Sequence, residues 1–539
     1  MTLRPLKLLP LLLLSAAGFA CSAAPSDAID QSEDELTSLT ARTRTLKFTG
    51  YVYVDETASD AVITQAVRRQ TQSAFGAIRT AKIGVNSREL KDVDPTTYVK
   101  SKVKVIDPAK IGDLGRTMLK VGYTYTDTAV VPTTMSTRSS LSMGLLNGSY
   151  SSQSSRILKE CTANDKEANE FVSSIWYVFE PSLPQCKTAM TAEQKKIDAD
   201  RAKLKDGTSI PASEVSRLYI PVTAGLTSQA TGDGKTYPEY DKLWSGGVKP
   251  GRLVVGMVSG MMADWAAGEK HETVDDSGYD MWFDGIREVQ AARPGLKFAK
   301  IEPAEDLTTF TVAGKTVKVP GGFADVMKWE LDGTGFPVGY TDATSKRALR
   351  VAAANKLAKH WVTFEAPVTV KVGQAAAMSF TIELNSYFGA ETDATPHKRG
   401  IKTSDIFVYN GHSYIGYGPL DPSNFSASDF PASYQIMVVN GCVSFNYYDH
   451  YFQLKNGGTK KLDTITNGLE SWVNGSGPAM GRLVGSLIDG KMNNYGAVLK
   501  AAQFDYSAYS WGNDALRVVD GELDNTYKAT TTPITVSAR

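Results

Sequence analysis

Apolar positions along this 539-residue chain change their spacing several times. Leu46-Lys47-Phe48-Thr49-Gly50-Tyr51-Val52-Tyr53-Val54 partly alternates and ends in an acidic turn, which predicts a strand. Residues 58–78 carry apolar side chains at helical spacing, and 103–106 and 119–125 are strand-like again. The order strand, helix, strand, strand predicts an α+β domain over residues 46–135. Residues 136–345 read as an accessory region. It is Ser-rich at first and charged and helical around 191–204, then turns to short strands and Gly turns with one helix near 285–292.

From about residue 346 the texture changes. Residues 346–360 read as a helix, and 368–372 and 378–384 as strands. Two short, continuously apolar runs follow, Ile406-Phe407-Val408-Tyr409 and Ile436-Met437-Val438-Val439. Runs apolar on both faces suit strands of a parallel sheet covered on both sides. Residues 478–488 and 495–502 read as helices packing on that sheet, with Pro478 at a first helical position. Residues 346–539 are therefore expected to form an α/β domain with a mainly parallel sheet flanked by helices. There is no internal repeat and no heptad array.

The amino terminus follows a different logic. Arg4 and Lys7 precede the apolar run 8–14, which is too short to span a bilayer as a helix, and Gly18-Phe19-Ala20 leads to Cys21. A small-residue cleavage site directly before Cys resembles the lipobox of bacterial lipoproteins, in which that Cys is lipidated. Residues 1–21 are then a signal peptide and 22–45 a flexible tether. The reading implies a lipid anchor on Cys21 that attaches the protein to the cell envelope outside the cytoplasm, at the outer membrane if the cell is Gram-negative. An ordinary secretory signal cut near Ala20 is the alternative.

Charge narrows the partners. The 58 basic and 58 acidic residues cancel, which gives no support for nucleic-acid binding through bulk charge. With Cys21 in the signal, Cys161, Cys186 and Cys442 remain. In an oxidising compartment Cys161 and Cys186, 25 residues apart, are expected to pair. Such a bridge contributes roughly 3 kcal/mol on the loop-entropy model. Cys442 is left over, either buried and inert or reactive.

The two buried runs share an ending. One gives Asn410-Gly411-His412, the other Asn440-Gly441-Cys442. Functional groups collect at the carboxyl ends of parallel strands, so neighbouring strands here would present an imidazole beside a thiol, which needs such a base. Residues 405–418 and 434–449 resemble the corresponding elements of the caspase-like cysteine peptidases, the clan of caspases, gingipain, clostripain and separase. In that pattern one hydrophobic strand ends in His and a later one in Cys, here 30 residues on, and the likeness covers about residues 370–505. The resemblance implies a peptide-bond hydrolase acting on a protein or peptide substrate, without cofactor or metal. Cys442 would be its nucleophile and His412 its general base, with the backbone amides of Ser413 and Cys442 as the oxyanion hole. Ser413 departs from the Gly usual at that place. The plain alternative is a surface lipoprotein that binds a partner or ligand without chemistry, with Cys442 a small buried hydrophobe.

Other signals are weaker. Gly232-Asp233-Gly234-Lys235-Thr236 lacks the Gly that a phosphate-binding loop needs five residues before Gly234, where Gln229 stands. The acidic run Glu272, Asp275, Asp276, Asp280 and Asp284 beside His271 fits no calcium loop and reads as a solvated face. His450, amid Tyr447, Tyr448 and Tyr451, reads as packing beneath the site, and Trp472 and Trp511 as core.

Overall fold

The computed structural model describes residues 36–539 apart from 92, 164–170, 205, 263–271, 390–392 and 505–514. Cys21, the signal peptide, His271 and Trp511 lie outside the described residues. The protein is mixed α/β and is built around two sheets. In the larger sheet, five central strands run parallel in the order Met378–Gly389, Arg252–Gly260, Ile406–Asn410, Gln435–Asn440 and Leu462–Asn467. Antiparallel strands close both flanks. Trp361–Val372 lies beside Met378–Gly389, and Arg517–Asp520 lies beside Leu462–Asn467.

The unbroken apolar runs are explained by what lies on each face. Ile406, Val408, Ile436 and Val438 point into a core shared with Trp282, Phe283 and Ile286 of helix Ser277–Ala292 and Leu483 and Val484 of helix Val473–Ile488. The alternate residues Phe407, Tyr409, Met437 and Val439 point into a second core with Leu46, Phe75 and Val121 of the amino-terminal half. With period-2 alternation both faces of each strand are dry, as a central parallel strand requires. The two helices approach to backbone contact: a Cβ on Gly477 would sit 2.4 Å from the Met281 carbonyl, and one on Gly481 2.4 Å from that of Gly285. Helix Val473–Ile488 becomes regular only after Gly475 (φ 86°), so Pro478 sits inside its first turn rather than at its first position.

The second sheet is ordered Ser140–Leu146, Tyr219–Ser228, Ala41–Asp55, Arg116–Pro132, Val99–Ile106, Ile210–Pro211. Three expected boundaries therefore move. The tether does not reach residue 45: Leu36–Thr37 and Ala41–Asp55 are strands, and Leu36 and Ala41 are buried. The α+β unit does not end at 135, because Ser140–Leu146 and Tyr219–Ser228 continue its sheet. The larger sheet does not begin at 346, because Arg252–Gly260 is one of its central parallel strands and is buried almost throughout. Long-range pairing overrides composition in each case. Cys161, closing helix Ser154–Glu160, is disulfide-bonded to Cys186 in helix Pro184–Arg201. Among the described residues no helix is long and apolar enough to cross a membrane.

Candidate active site

The carboxyl ends of the parallel strands form one straight rim. Gly260 lies opposite Gly389 and Ser259 opposite Asn410; Asn410 lies opposite Asn440, and the pairing of Val438 with Ile465 carries the row on to Asn467. Four neighbouring strands thus end in Ser259-Gly260, Asn410-Gly411, Asn440-Gly441 and Asn467-Gly468. The third Asn-Gly was readable in the sequence as a repeat of the two already noted, and it completes the site. The amides interlock. Asn440 donates to the Asn410 side-chain oxygen (2.7 Å), and Asn467 donates to that of Asn440 (2.9 Å). The buried Arg517 donates to the same Asn440 oxygen (3.1 Å) and to the Ala502 carbonyl (3.1 Å).

This rim carries His412 and Cys442 on adjacent strand ends. The imidazole Nε2 lies 3.3 Å from the Met262 carbonyl. A carbonyl only accepts, so Nε2 holds the proton and Nδ1 the lone pair. Burial holds the imidazole below its usual pKa, opposed by the Met262 contact and the nearby Asp276 carboxylate. Burial, with the Glu470 carboxylate adding to it, pushes the partly buried Cys442 thiol up to about 11. The thiol donates to the Ser471 carbonyl at 3.5 Å. Both groups therefore rest neutral, and the thiol's hydrogen bond goes to Ser471 rather than to His412.

The two backbone amides are set by the carbonyls on the other side of each peptide plane. Tyr409 Oη donates to the His412 carbonyl (2.6 Å), and Asn467 Nδ2 donates to the Gly441 carbonyl (3.2 Å). In a trans peptide the N–H points opposite to the C=O, so the Ser413 and Cys442 amides are both turned away from these anchors. Neither donates a hydrogen bond to another group among the described residues. They lie close, since a Cβ on Gly441 would stand 3.5 Å from the Ser413 nitrogen. Ser413 has φ −86°, ψ −12°, a conformation that does not require Gly, and Tyr448 Oη fixes its carbonyl at 2.6 Å. The aromatic stretch after Cys442 thus orients the His412 loop, and Tyr447, Tyr448 and Tyr451 are buried while His450 is not.

Backbone strain concentrates at the same rim. Tyr414 (φ 49°), Ile415 (φ 52°) and Val443 (φ 46°) are left-handed, a conformation that costs a non-Gly residue about 1–3 kcal/mol and tends to cluster at functional sites. The amino-terminal half forms one wall. Arg79 of helix Ala74–Thr80 is ion-paired with Glu470, and Asn446 binds the carbonyls of Val85 (3.2 Å) and Ser87 (2.6 Å).

The acidic run is neutralised locally: Arg347 pairs with Glu272 and Asp275, Arg287 pairs with Asp284, and Asp276 caps helix Ser277–Ala292. Among the described residues no group of three or more His, Cys, Asp or Glu is arranged to hold a metal. Gly234 (φ 76°) abuts Gly496 in a plain turn. Trp472, expected in the core, stands at the rim and is 39% exposed. No family model, curated protein or solved structure matches this chain.

Proposed function

We propose that this protein is a cysteine peptidase of the caspase-like clan, held outside the cytoplasm by a lipid on Cys21, with His412 and Cys442 as its dyad. The observation that carries the reading is the pair of undonated amides, Ser413 and Cys442, aimed from adjacent strand ends beside a thiol and an imidazole lone pair. Such donors stabilise an oxyanion as it forms and cost no reorganisation. The adjacency of the His-ending and Cys-ending strands is what the resemblance requires.

In this mechanism Sγ attacks the scissile carbonyl carbon while its proton passes to Nδ1 of His412. The carbonyl electron pair moves onto oxygen and is held by the two amides. Collapse expels the amine, which takes the proton from His412, and leaves a thioester on Cys442. Water, deprotonated by the same imidazole, then hydrolyses that thioester. Because burial disfavours both thiolate and imidazolium, proton transfer accompanies attack instead of preceding it.

A second reading, a lipoprotein that binds a partner through a degenerate peptidase fold, is favoured by the thiol's bond to Ser471 and its raised pKa. Alkylation of the chain lacking Cys21 with an iodoacetamide-type probe, mapped by mass spectrometry, separates the two. The dyad predicts that native Cys442 labels at a rate climbing from neutral to alkaline pH. His412→Ala should slow that labelling by about tenfold or more and abolish cleavage of a peptide library. Labelling only after denaturation, or at an equal rate without His412, would sink the peptidase reading.

A further inference from the structure

At the opposite end of the parallel strands lies a cavity of about 540 Å³, lined by Lys242, Ser245, Gly247, Ser433, Tyr434 and the Gly457–Lys461 loop. We propose that it is a binding site for a small, multiply charged phosphorylated ligand. Three ammonium groups border it, Lys242, Lys460 and Lys461. Lys242 is ion-paired with Glu239 and Lys461 donates to the Ala432 carbonyl (2.7 Å), while the other nearby acids are engaged elsewhere. Glu239 accepts from Lys242 and from the amides of Thr526 and Tyr527. Asp405 accepts from the amides of Val248 and Val254, and Asp463 accepts from Tyr434, Tyr495 and Asn525. Lys460 has no ion pair among the described residues.

Further observations point to an anion. The buried Ser433 hydroxyl has no hydrogen-bond partner and lines the cavity. Behind the wall, Lys455 is buried and held at the Pro431 carbonyl (2.7 Å), and burial together with the Lys461 charge brings its ammonium down to about 7. The loop approaches closely because Gly457 (φ 100°) and Gly458 (φ 57°) take left-handed conformations that other residues rarely adopt. The volume falls within the range of small-molecule sites and far exceeds a single phosphate. The Lys242 ammonium lies 5.5 Å from the centroid of the buried Tyr434 ring, and most of the exposed lining is apolar, so an organic portion can lie beside the charges.

The probe is tripolyphosphate, titrated calorimetrically into the full folded chain at low salt. Vesicles of phosphatidylcholine with and without phosphatidic acid form the second arm. Saturable one-to-one binding that weakens steeply with salt is expected. Lys460→Glu should weaken it by about tenfold or more, the loss of a charge-assisted contact. That side chain holds nothing in the fold, so the variant stays folded; Lys242→Ala combined with Lys461→Ala tests the other two charges. Binding to free tripolyphosphate identifies a soluble ligand, and capture by the phosphatidic-acid vesicles alone identifies a lipid headgroup. No saturable binding in either arm, or binding unchanged by Lys460→Glu, overturns the proposal.

Discussion

At their carboxyl ends the central strands close on neutral amides, Asn410, Asn440 and Asn467, linked edge to edge. At their amino ends two of the strands hold acids, Asp405 directly ahead of Ile406–Asn410 and Asp463 near the start of Leu462–Asn467. All five of these side chains are buried. An amide can donate and accept at any pH, so it fixes peptide planes beside a reactive thiol without adding charge to it. A buried carboxyl can do its bonding only by shifting its titration. The rim that needs constant geometry is built from the first kind of group, and the end that borders the lysine-lined cavity from the second.

The largest expected effect comes from breaking the amide row at its centre. Asn440→Leu keeps the volume but leaves Arg517, Asn467 and the Asn410 oxygen without their shared partner. Taking one partner each from a buried guanidinium and two buried amides is expected to cost about 2–4 kcal/mol in urea unfolding. A loss below about 1 kcal/mol would show that the row is incidental to the rim.

The amino end should instead show itself through pH. Burial raises the Asp463 carboxyl to about 7, although Tyr434, Tyr495 and Asn525 all bond to it. Its unfolded value is about 3.9. The folded state therefore holds the proton more tightly, and this stability is complete below about pH 4 and lost as pH rises towards 7. Buried His397, brought down to about 4, works the other way, gaining stability as pH rises through the same range. The difference between wild type and Asp463→Asn cancels the histidine term. Wild type should lose on the order of 2–4 kcal/mol relative to the variant between about pH 4 and pH 7.5, read from thermal melts. Parallel pH profiles for the two proteins would contradict the assignment.

What the sequence revealed of this arrangement follows the range of each interaction. Strands apolar on both faces were legible because both faces are buried, and the shared ending of the His412 and Cys442 strands placed them together before any coordinates. Cys161 and Cys186 paired as spacing and compartment suggested. Arg252–Gly260 was hidden because its glycines, Gly256 and Gly260, look like turn signals. Gly256 is small because the Ser404 side chain approaches it from another part of the chain, a long-range fact. Asn467 was missed as an organiser of the Cys442 amide for the same reason, whereas the Tyr409 bond is local, to a carbonyl three residues on. Nothing in composition marks a side chain that will anchor a carbonyl, whether that carbonyl is near or far in the chain.

The smallest effect tests whether the strain at the carboxyl rim is real. Val443 is buried and left-handed, directly after Cys442. Removing a buried Val side chain and adding Gly flexibility ordinarily costs about 3 kcal/mol. In Val443→Gly, release of about 1–2 kcal/mol of left-handed strain offsets much of that, so the net loss should be about 1–2 kcal/mol. Val439→Gly, equally buried but in the regular strand that leads to the same turn, has no strain to release and should lose the full amount. Equal losses at the two positions would mean that the turn carrying the Cys442 amide is relaxed. A smaller loss at Val443 would mean that folding energy is held there to keep the thiol and its amide in one orientation.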